Sequence, residues 1–390
     1  MSNIGDIMAV LPHEGKKKKL VRGLYSEIVG ELGQAFTMSL YLCVDCGGTK
    51  TSAVICNDDG LILGRATGGP SNVTYLSPEA FLSSVTDTIS NALQVFNKST
   101  KLPPDGRSPF SAAWFGVSGA DSPAAIAKIT PSLSALLAIP AGPGLVITND
   151  THLLAAPVRM YPDVSHAVAV IAGTGSNAVS FVEKDGVIEE LARVGGWGWI
   201  LGDEGGGYHV GRETIRQILT EEEKASIGAL PSAESRLRDR VLERFGVKSV
   251  MEILGGVYLP DPPPNTGTSL LPQVMTREKR LSSLCPLVFA AAFEDGDWLA
   301  LRILGACASS LASQIAVLLA GPTDNSPRLV RACESMISLG GSLAGVEQYR
   351  KMILDDLAHR GHVFRHAEFI DNAAAVGAIG LAAIYKQGLP

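Results

Sequence analysis

The sequence predicts a mixed α/β protein of two domains, and three observations carry that prediction. Strand-like apolar runs alternate with amphipathic helical stretches along the chain. The length, 390 residues of which 46% are hydrophobic, exceeds what one ordinary core accommodates. One design, strand–glycine turn–strand, occurs twice: laying 41–56 over 167–182 aligns Gly47 with Gly173, with an apolar strand on each side of both turns.

The elements follow in order. Residues 1–37, with a lysine run at 16–19, precede the first strand and read as an appendage. Strands are expected at 40–46, 51–57 and 61–67, the last two joined by the turn "NDDG". A helix is expected over 78–97, with Phe81, Val85, Ile89, Leu93 and Phe96 on one stripe. The loop "PPDGRSP" (103–109) leads into a buried strand, "SAAWFGVSG"; a helix at 123–138, a buried strand at 144–150 and a helix at 151–159 come next. After the second strand–turn–strand, helices dominate: 206–220, 232–245, 248–255, 272–294 and 296–320, broken by "PDPPP" at 260–264. A strand at 336–341, a helix at 344–358 and a strand at 362–369 precede a last Ala/Gly-rich helix, 371–386, whose small residues permit close packing.

Composition narrows the function. With 33 basic and 39 acidic residues the net charge is -6, and no basic stripe carries interleaved aromatics, so a nucleic-acid partner is not expected. No apolar run reaching the ~18 residues of a membrane span is read in the chain, and the amino terminus has no charged-then-apolar leader pattern. Six cysteines are sparse for this length and fit reduced thiols in a cytoplasmic setting. Cys43 and Cys46 form a C-x-x-C, but on a strand they face opposite sides and cannot share a metal or close a disulfide. His359, His362 and His366 are interrupted by Gly361 and are not expected to make a zinc site. No G-x-S-x-G elbow occurs.

Four stretches carry chemistry, each with a structural alternative. The turn Gly47, Gly48, Thr49, Lys50 offers backbone N–H groups that glycine leaves approachable, a hydroxyl and a cation. Alone it is equally a plain hairpin; its near-repeat at Gly173, Thr174 and Gly175 suits a nucleotide's phosphates gripped from two sides. Asp45 beside the first turn is placed to hold Mg²⁺ through water, or simply to cap the turn. Asp150 ends a strand and starts a helix, so it is either an N-cap or a carboxylate that takes a proton from a sugar hydroxyl. "RVGGWGWILGDEGGGY" sets Trp197 and Trp199 among glycines, with flat faces suited to a sugar, and Asp203 to accept hydroxyls; the alternative is a rigid loop with one tryptophan packed as core. Gly340 and Gly341 in "SLGGSL" form another strand-to-glycine turn, which admits an adenosine close to the backbone or merely leads into a helix.

Taken together, "VDCGGTKT", "FGVSGAD", "ITND", "IAGTGSN", "GGWGWILGDEGGGY" and "SLGGS" resemble, in order and spacing, the N-acetylglucosamine kinases of the BadF/BadG/BcrA/BcrD ATPase group within the sugar kinase–Hsp70–actin superfamily. The resemblance covers residues 39–386 and implies two ribonuclease H-like, actin-like ATPase domains around a cleft: 39–160 plus 371–390, and 161–370, after an extension over 1–38. It implies ATP with Mg²⁺ and a small-molecule sugar as partners, with a homodimer compatible. Gly47, Gly48, Thr49, Thr174, Gly340 and Gly341 fall on ATP-binding positions; Lys50 and Gly173 are expected to bind ATP with them, and Asp45 the metal, from the reading of the residues given above. Asn72, Ser176, Asn177, Gly196, Trp197, Gly198, Trp199 and Asp203 fall on sugar-binding positions, and Asp150 on the catalytic carboxylate that also meets the substrate. Cys46 departs from a common glycine and Trp199 from a frequent histidine. The activity implied is phosphorylation of the 6-hydroxyl of N-acetyl-D-glucosamine. A glucosamine or glucose kinase, a non-catalytic sugar sensor and an activator ATPase are the alternatives.

Overall fold

The computed structural model describes residues 39–48, 50–97, 102, 106–228, 234–263 and 272–388. Thr49, the appendage before the first strand and residues 103–105 of the 103–109 loop lie outside them.

One sheet holds β1 (Tyr41–Cys46), β2 (Thr51–Cys56), β3 (Ile62–Gly68), β4 (Ala112–Val117) and β5 (Leu145–Thr148), in the order β3-β2-β1-β4-β5. The second holds β6 (His166–Ala172), β7 (Ser176–Lys184), β8 (Val187–Gly195), β9 (Ser335–Gly340) and β10 (His366–Ile370), in the order β10-β9-β6-β7-β8. Read from its other end, the second order repeats the first. The directions repeat too: the first three strands of each sheet are antiparallel, and β4, β5, β9 and β10 are added in parallel. The duplication read from two turns thus extends over all five strands, and the expected pair of ribonuclease H-like halves is present.

Three apolar layers hold the sheets. Helices Pro78–Asn97 and Pro123–Leu137 cover the outer face of the first sheet, and Phe81, Val85, Ile89 and Leu93 are buried there as the stripe predicted; the side chain of Phe96 lies outside the described ones. Helices Gly207–Ser226, Trp298–Ala316 and Glu347–His359 cover the outer face of the second sheet. Between the sheets lie helix Thr151–Ala155, the 3₁₀ turn Ala156–Met160 and the final helix Ala373–Lys386. Cys43 points into this middle layer and Cys46 into the outer one, as alternation along a strand requires. All six cysteines are free thiols.

The structure differs from the sequence reading in several places. Strand β8 was not anticipated: "VIEELARVG" interrupts its apolar residues with Glu189, Glu190 and Arg193, and as an edge strand it buries only Ile188, so its apolar alternation is faint. The single helix expected at 272–294 is three pieces, Pro272–Val274, Arg277–Ser282 and Cys285–Phe293; Thr276 caps the second by accepting the Lys279 N–H, and Pro286 sits in the first turn of the third. The helix expected at 151–159 tightens to 3₁₀ where Pro157 lacks an amide donor. The last strand starts only at His366, because Gly361 takes a left-handed conformation, φ +89°, and breaks the approach. One further correction concerns membranes. Trp298–Ala316 is long and apolar enough, by composition, to cross one. Nine of its side chains belong to the second sheet's core, which accounts for its apolarity.

Candidate active site

Because β1, β4 and β5 run parallel, their carboxyl ends lie at one edge of the first sheet, and the loops leaving that edge bring Asp45, Ser118 and Asp150 together. The two readings of Asp150 are separated by geometry. Its backbone is helical (φ −59°, ψ −28°) and its carboxylate makes no well-formed cap hydrogen bond. Asn149 does the capping: its Oδ1 accepts the Thr151 N–H at 3.1 Å and the Thr151 hydroxyl at 2.7 Å. The Asp150 carboxylate is left for other work. Burial raises its pKa and the charge of Asp121 adds to that, while the Ser118 hydroxyl, the Thr151 amide and Arg193 pull it down. Burial likewise pushes Asp45 up to about 7; the charge of Asp150 adds to that, with Lys50 opposing.

Asn72 joins this cluster through Ser118. Its Nδ2 donates to Ser118 Oγ at 3.0 Å while its Oδ1 accepts the Thr74 N–H at 2.7 Å. Asn72, Ser118 and Asp150 therefore form one connected chain. The first glycine turn is closed by the Gly47 N–H on the Lys50 carbonyl at 3.0 Å. A Cβ built on Gly48 would meet nothing within 4 Å, so this backbone stands open to an approaching group.

The second sheet presents a matching edge. The Gly173 N–H donates to the Gly175 carbonyl at 2.9 Å, and the carbonyls of Gly173 and Thr174 accept the first amides of helix Gly207–Ser226. The Ser176 N–H donates to Asp203 Oδ1 at 3.2 Å, its hydroxyl donates to the Glu204 carbonyl at 2.7 Å, and its own carbonyl accepts the Gly196 N–H at 3.0 Å. Asn177 lies against Gly196, and its buried Oδ1 has no partner. Asp203 is held at φ +62°, a left-handed conformation unusual away from glycine. A Cβ on Gly175 would fall 2.8 Å from Asp203 Oδ2, so glycine is what lets the acid lie over the turn. Thr174, Ser176, Asn177, Gly196 and Asp203 are thus assembled as one group.

Gly340 and Gly341 lie beside it. Gly341 has φ +96°, and a Cβ there would stand 2.5 Å from the Ala172 carbonyl. A cavity of about 430 Å³ opens next to both turns, with Thr174, Gly207, Lys279, Phe289 and Ser342 in its wall. Of the two tryptophans, Trp197 is 70% exposed, whereas Trp199 leans on Tyr208 with ring centroids 5.1 Å apart. The free aromatic face belongs to Trp197.

Sequence reasoning missed Ser118, Asp121, Asn149 and Arg193. "GVSGAD" and "ITND" contain the first three, but their roles depend on backbone angles and on contacts between distant strands. Arg193 hid in the unrecognised β8. Of the three histidines near the last strand, His366 stacks on Tyr161 with ring centroids 4.1 Å apart and pairs with Asp163; among the described residues no group of three metal-ligand side chains occurs. Asp45 with Asp150, two carboxylates in need of positive charge, fits Mg²⁺ brought in on a nucleotide's phosphates rather than a resident all-protein cage.

Two ribonuclease H-like halves with glycine turns at their strand ends make the frame of an actin-like ATPase. Residues 42–383 match the BadF/BadG/BcrA/BcrD ATPase family, and the chain belongs to it. ATP use comes with that membership. Two curated relatives are similar to it. The N-acetylmuramic acid/N-acetylglucosamine kinase of Clostridium acetobutylicum is 27% identical over 278 residues, 70% of this chain and 77% of the relative. The N-acetyl-D-glucosamine kinase of Dictyostelium discoideum is 24% identical over 221 residues, 57% of this chain and 65% of the relative. Among solved structures, a Porphyromonas gingivalis protein provisionally assigned as an N-acetylglucosamine kinase superimposes with a TM-score of 0.56 at 22% identity, covering 89% of this chain and 99% of its own. One from Chromobacterium violaceum with the same provisional assignment gives 0.53 at 22% identity and the same coverage. At that identity the solved structures speak for the fold alone.

Proposed function

We propose that the protein is an ATP-dependent sugar kinase that phosphorylates the 6-hydroxyl of N-acetyl-D-glucosamine in the cytoplasm, with Asp150 as general base. The observation that carries this reading is the release of Asp150 from helix capping by Asn149, which leaves a carboxylate of raised pKa at the strand-end edge. Both curated relatives are named as kinases acting on N-acetylglucosamine, which supports the choice of substrate.

In this reading the adenosine occupies the cavity beside Gly340 and Gly341, and the phosphates lie between the turn Gly47–Lys50 and Gly173–Thr174. Asp45 would hold the Mg²⁺ brought in with the nucleotide, and the ion would supply charge neutralisation on the phosphoryl group. The sugar lies among Asn72, Asp150, Ser176, Asn177, Gly196, Gly198 and Asp203, with Trp197 against its C–H face and Trp199 bracing the loop on Tyr208. The bodies that close on it are 39–160 with 371–390, and 161–370, and closure keeps water from taking the phosphoryl group. Asp150 accepts the proton of the 6-hydroxyl as its oxygen bonds to the γ-phosphorus. The bond to the bridging oxygen breaks and ADP leaves.

The test is ATP-dependent phosphorylation over a panel of N-acetylglucosamine, N-acetylmuramic acid, glucosamine and glucose, with the product's phosphate position read by NMR. Preference for glucosamine or glucose, or sugar binding without transfer, overturns the reading. Asp150→Asn should fold normally and lose ~10²–10⁴ in kcat; near-normal turnover would show that Asp150 is not the base.

A further inference from the structure

We propose that Arg193 is a positioning residue for this reaction: from β8 of the second sheet it reaches Asp121 of the first and, through Asn149, fixes the start of the helix beside Asp150. The inference rests on the kinase reading above. The contacts run in one line. Arg193 Nη2 is 3.0 Å from Glu190 Oε2 on its own strand, which orients the guanidinium, and Nη1 lies 3.7 Å from Asp121 Oδ1. That same Oδ1 accepts the Asn149 Nδ2–H at 2.7 Å. The other end of the Asn149 amide accepts both the amide and the hydroxyl of Thr151. Asp150 stands between the two residues so tied, and Asp121 and Arg193 both act on its charge. The line joins the two sheets at the place where sugar and phosphate must be brought into register.

The pair's strength suits such a task. Side-chain exposures of 31% for Arg193 and 62% for Asp121 leave the pair wet, and exposed pairs contribute little. A contact that must form on closing and break on product release should be of that kind. It also sets the size of the expected effect, about twofold to fivefold rather than the collapse that follows loss of a base.

The experiment measures kcat and KM for N-acetylglucosamine and for ATP in Arg193→Gln, Arg193→Lys, Asp121→Asn and the double variant Arg193→Gln/Asp121→Asn. Melting temperatures are recorded for each. Arg193→Gln should lose about twofold to fivefold in kcat/KM for the sugar, with KM for ATP and the melting temperature near wild type. Arg193→Lys should regain most of the loss at low salt. The double variant should be no worse than the poorer single, because both remove one contact. The deficit relative to wild type should shrink when salt rises from about 20 to 500 mM. Unchanged sugar kinetics in Arg193→Gln, additive losses in the double variant, or a loss borne equally by ATP would overturn the assignment. A wild-type protein with no sugar turnover would sink the kinase reading and this inference with it. Active wild type with an indifferent Arg193→Gln would sink the inference alone.

Discussion

His152 packs edge-on against Phe181, ring centroids 4.8 Å apart, and its buried Nδ1 has no hydrogen-bond partner. Burial above all pushes its pKa down to about 4, with Glu190 pulling the other way. In the unfolded chain an imidazole titrates near 6.5. The folded state therefore binds fewer protons between those values, so the stability it contributes is complete above about pH 6.5 and lost as pH falls toward 4. The loss is bounded by about 3 kcal/mol. His152→Leu should lose less stability than wild type between pH 7 and pH 4.5 in urea unfolding, and parallel curves for the two proteins would rule His152 out as the group responsible. The same scale marks the limit of the sequence reading. Asp150 and Asn149 are both good caps by type, and only the helical backbone of Asp150 decides which one serves.

At the scale of elements, Arg280 is the member whose loss should be felt furthest. Its side chain is 1% exposed, and its guanidinium donates to five backbone carbonyls, those of Val257, Leu259, Pro260, Pro272 and Met275. It ties the end of helix Ile253–Val257 to the short pieces that replace the expected long helix. Arg280→Met should cost about 3–5 kcal/mol, because it leaves buried carbonyls unpaired. Proteolysis should then concentrate between residues 257 and 276. A variant as stable and as resistant as wild type would show that the carbonyls find water instead. None of this was legible in the sequence, where Arg280 reads as an ordinary charge on a helix. Helices with a clean stripe, such as Pro78–Asn97, were legible, because periodicity records which face is covered. Edge strand β8 was not, since little covers it.

For the molecule as a whole, the duplication was readable because each glycine turn and its flanking strands are local in the chain. The middle layer was not, because it joins β1 to a helix more than three hundred residues later. That layer makes a prediction of its own. A Cβ on Gly377 of helix Ala373–Lys386 would fall 2.4 Å from Cys43 Sγ on β1 and 3.1 Å from Leu153 Cδ2 on the helix facing the second sheet. Gly377→Val should destabilise by about 1–3 kcal/mol through overpacking. Gly305, in the helix Trp298–Ala316, has open space around it, so Gly305→Ala should stabilise by up to about 1 kcal/mol through helix propensity alone. Since Cys43 and Val54 of the first sheet and Val179 and Phe181 of the second share one buried cluster, the damage at Gly377 should reach both. Hydrogen exchange should show β1 and β6 losing protection together in Gly377→Val, with one calorimetric transition moving down as a unit. If β1 loosened while β6 kept its full protection, the two halves would be stabilised separately and the shared layer would not bind them into one cooperative body.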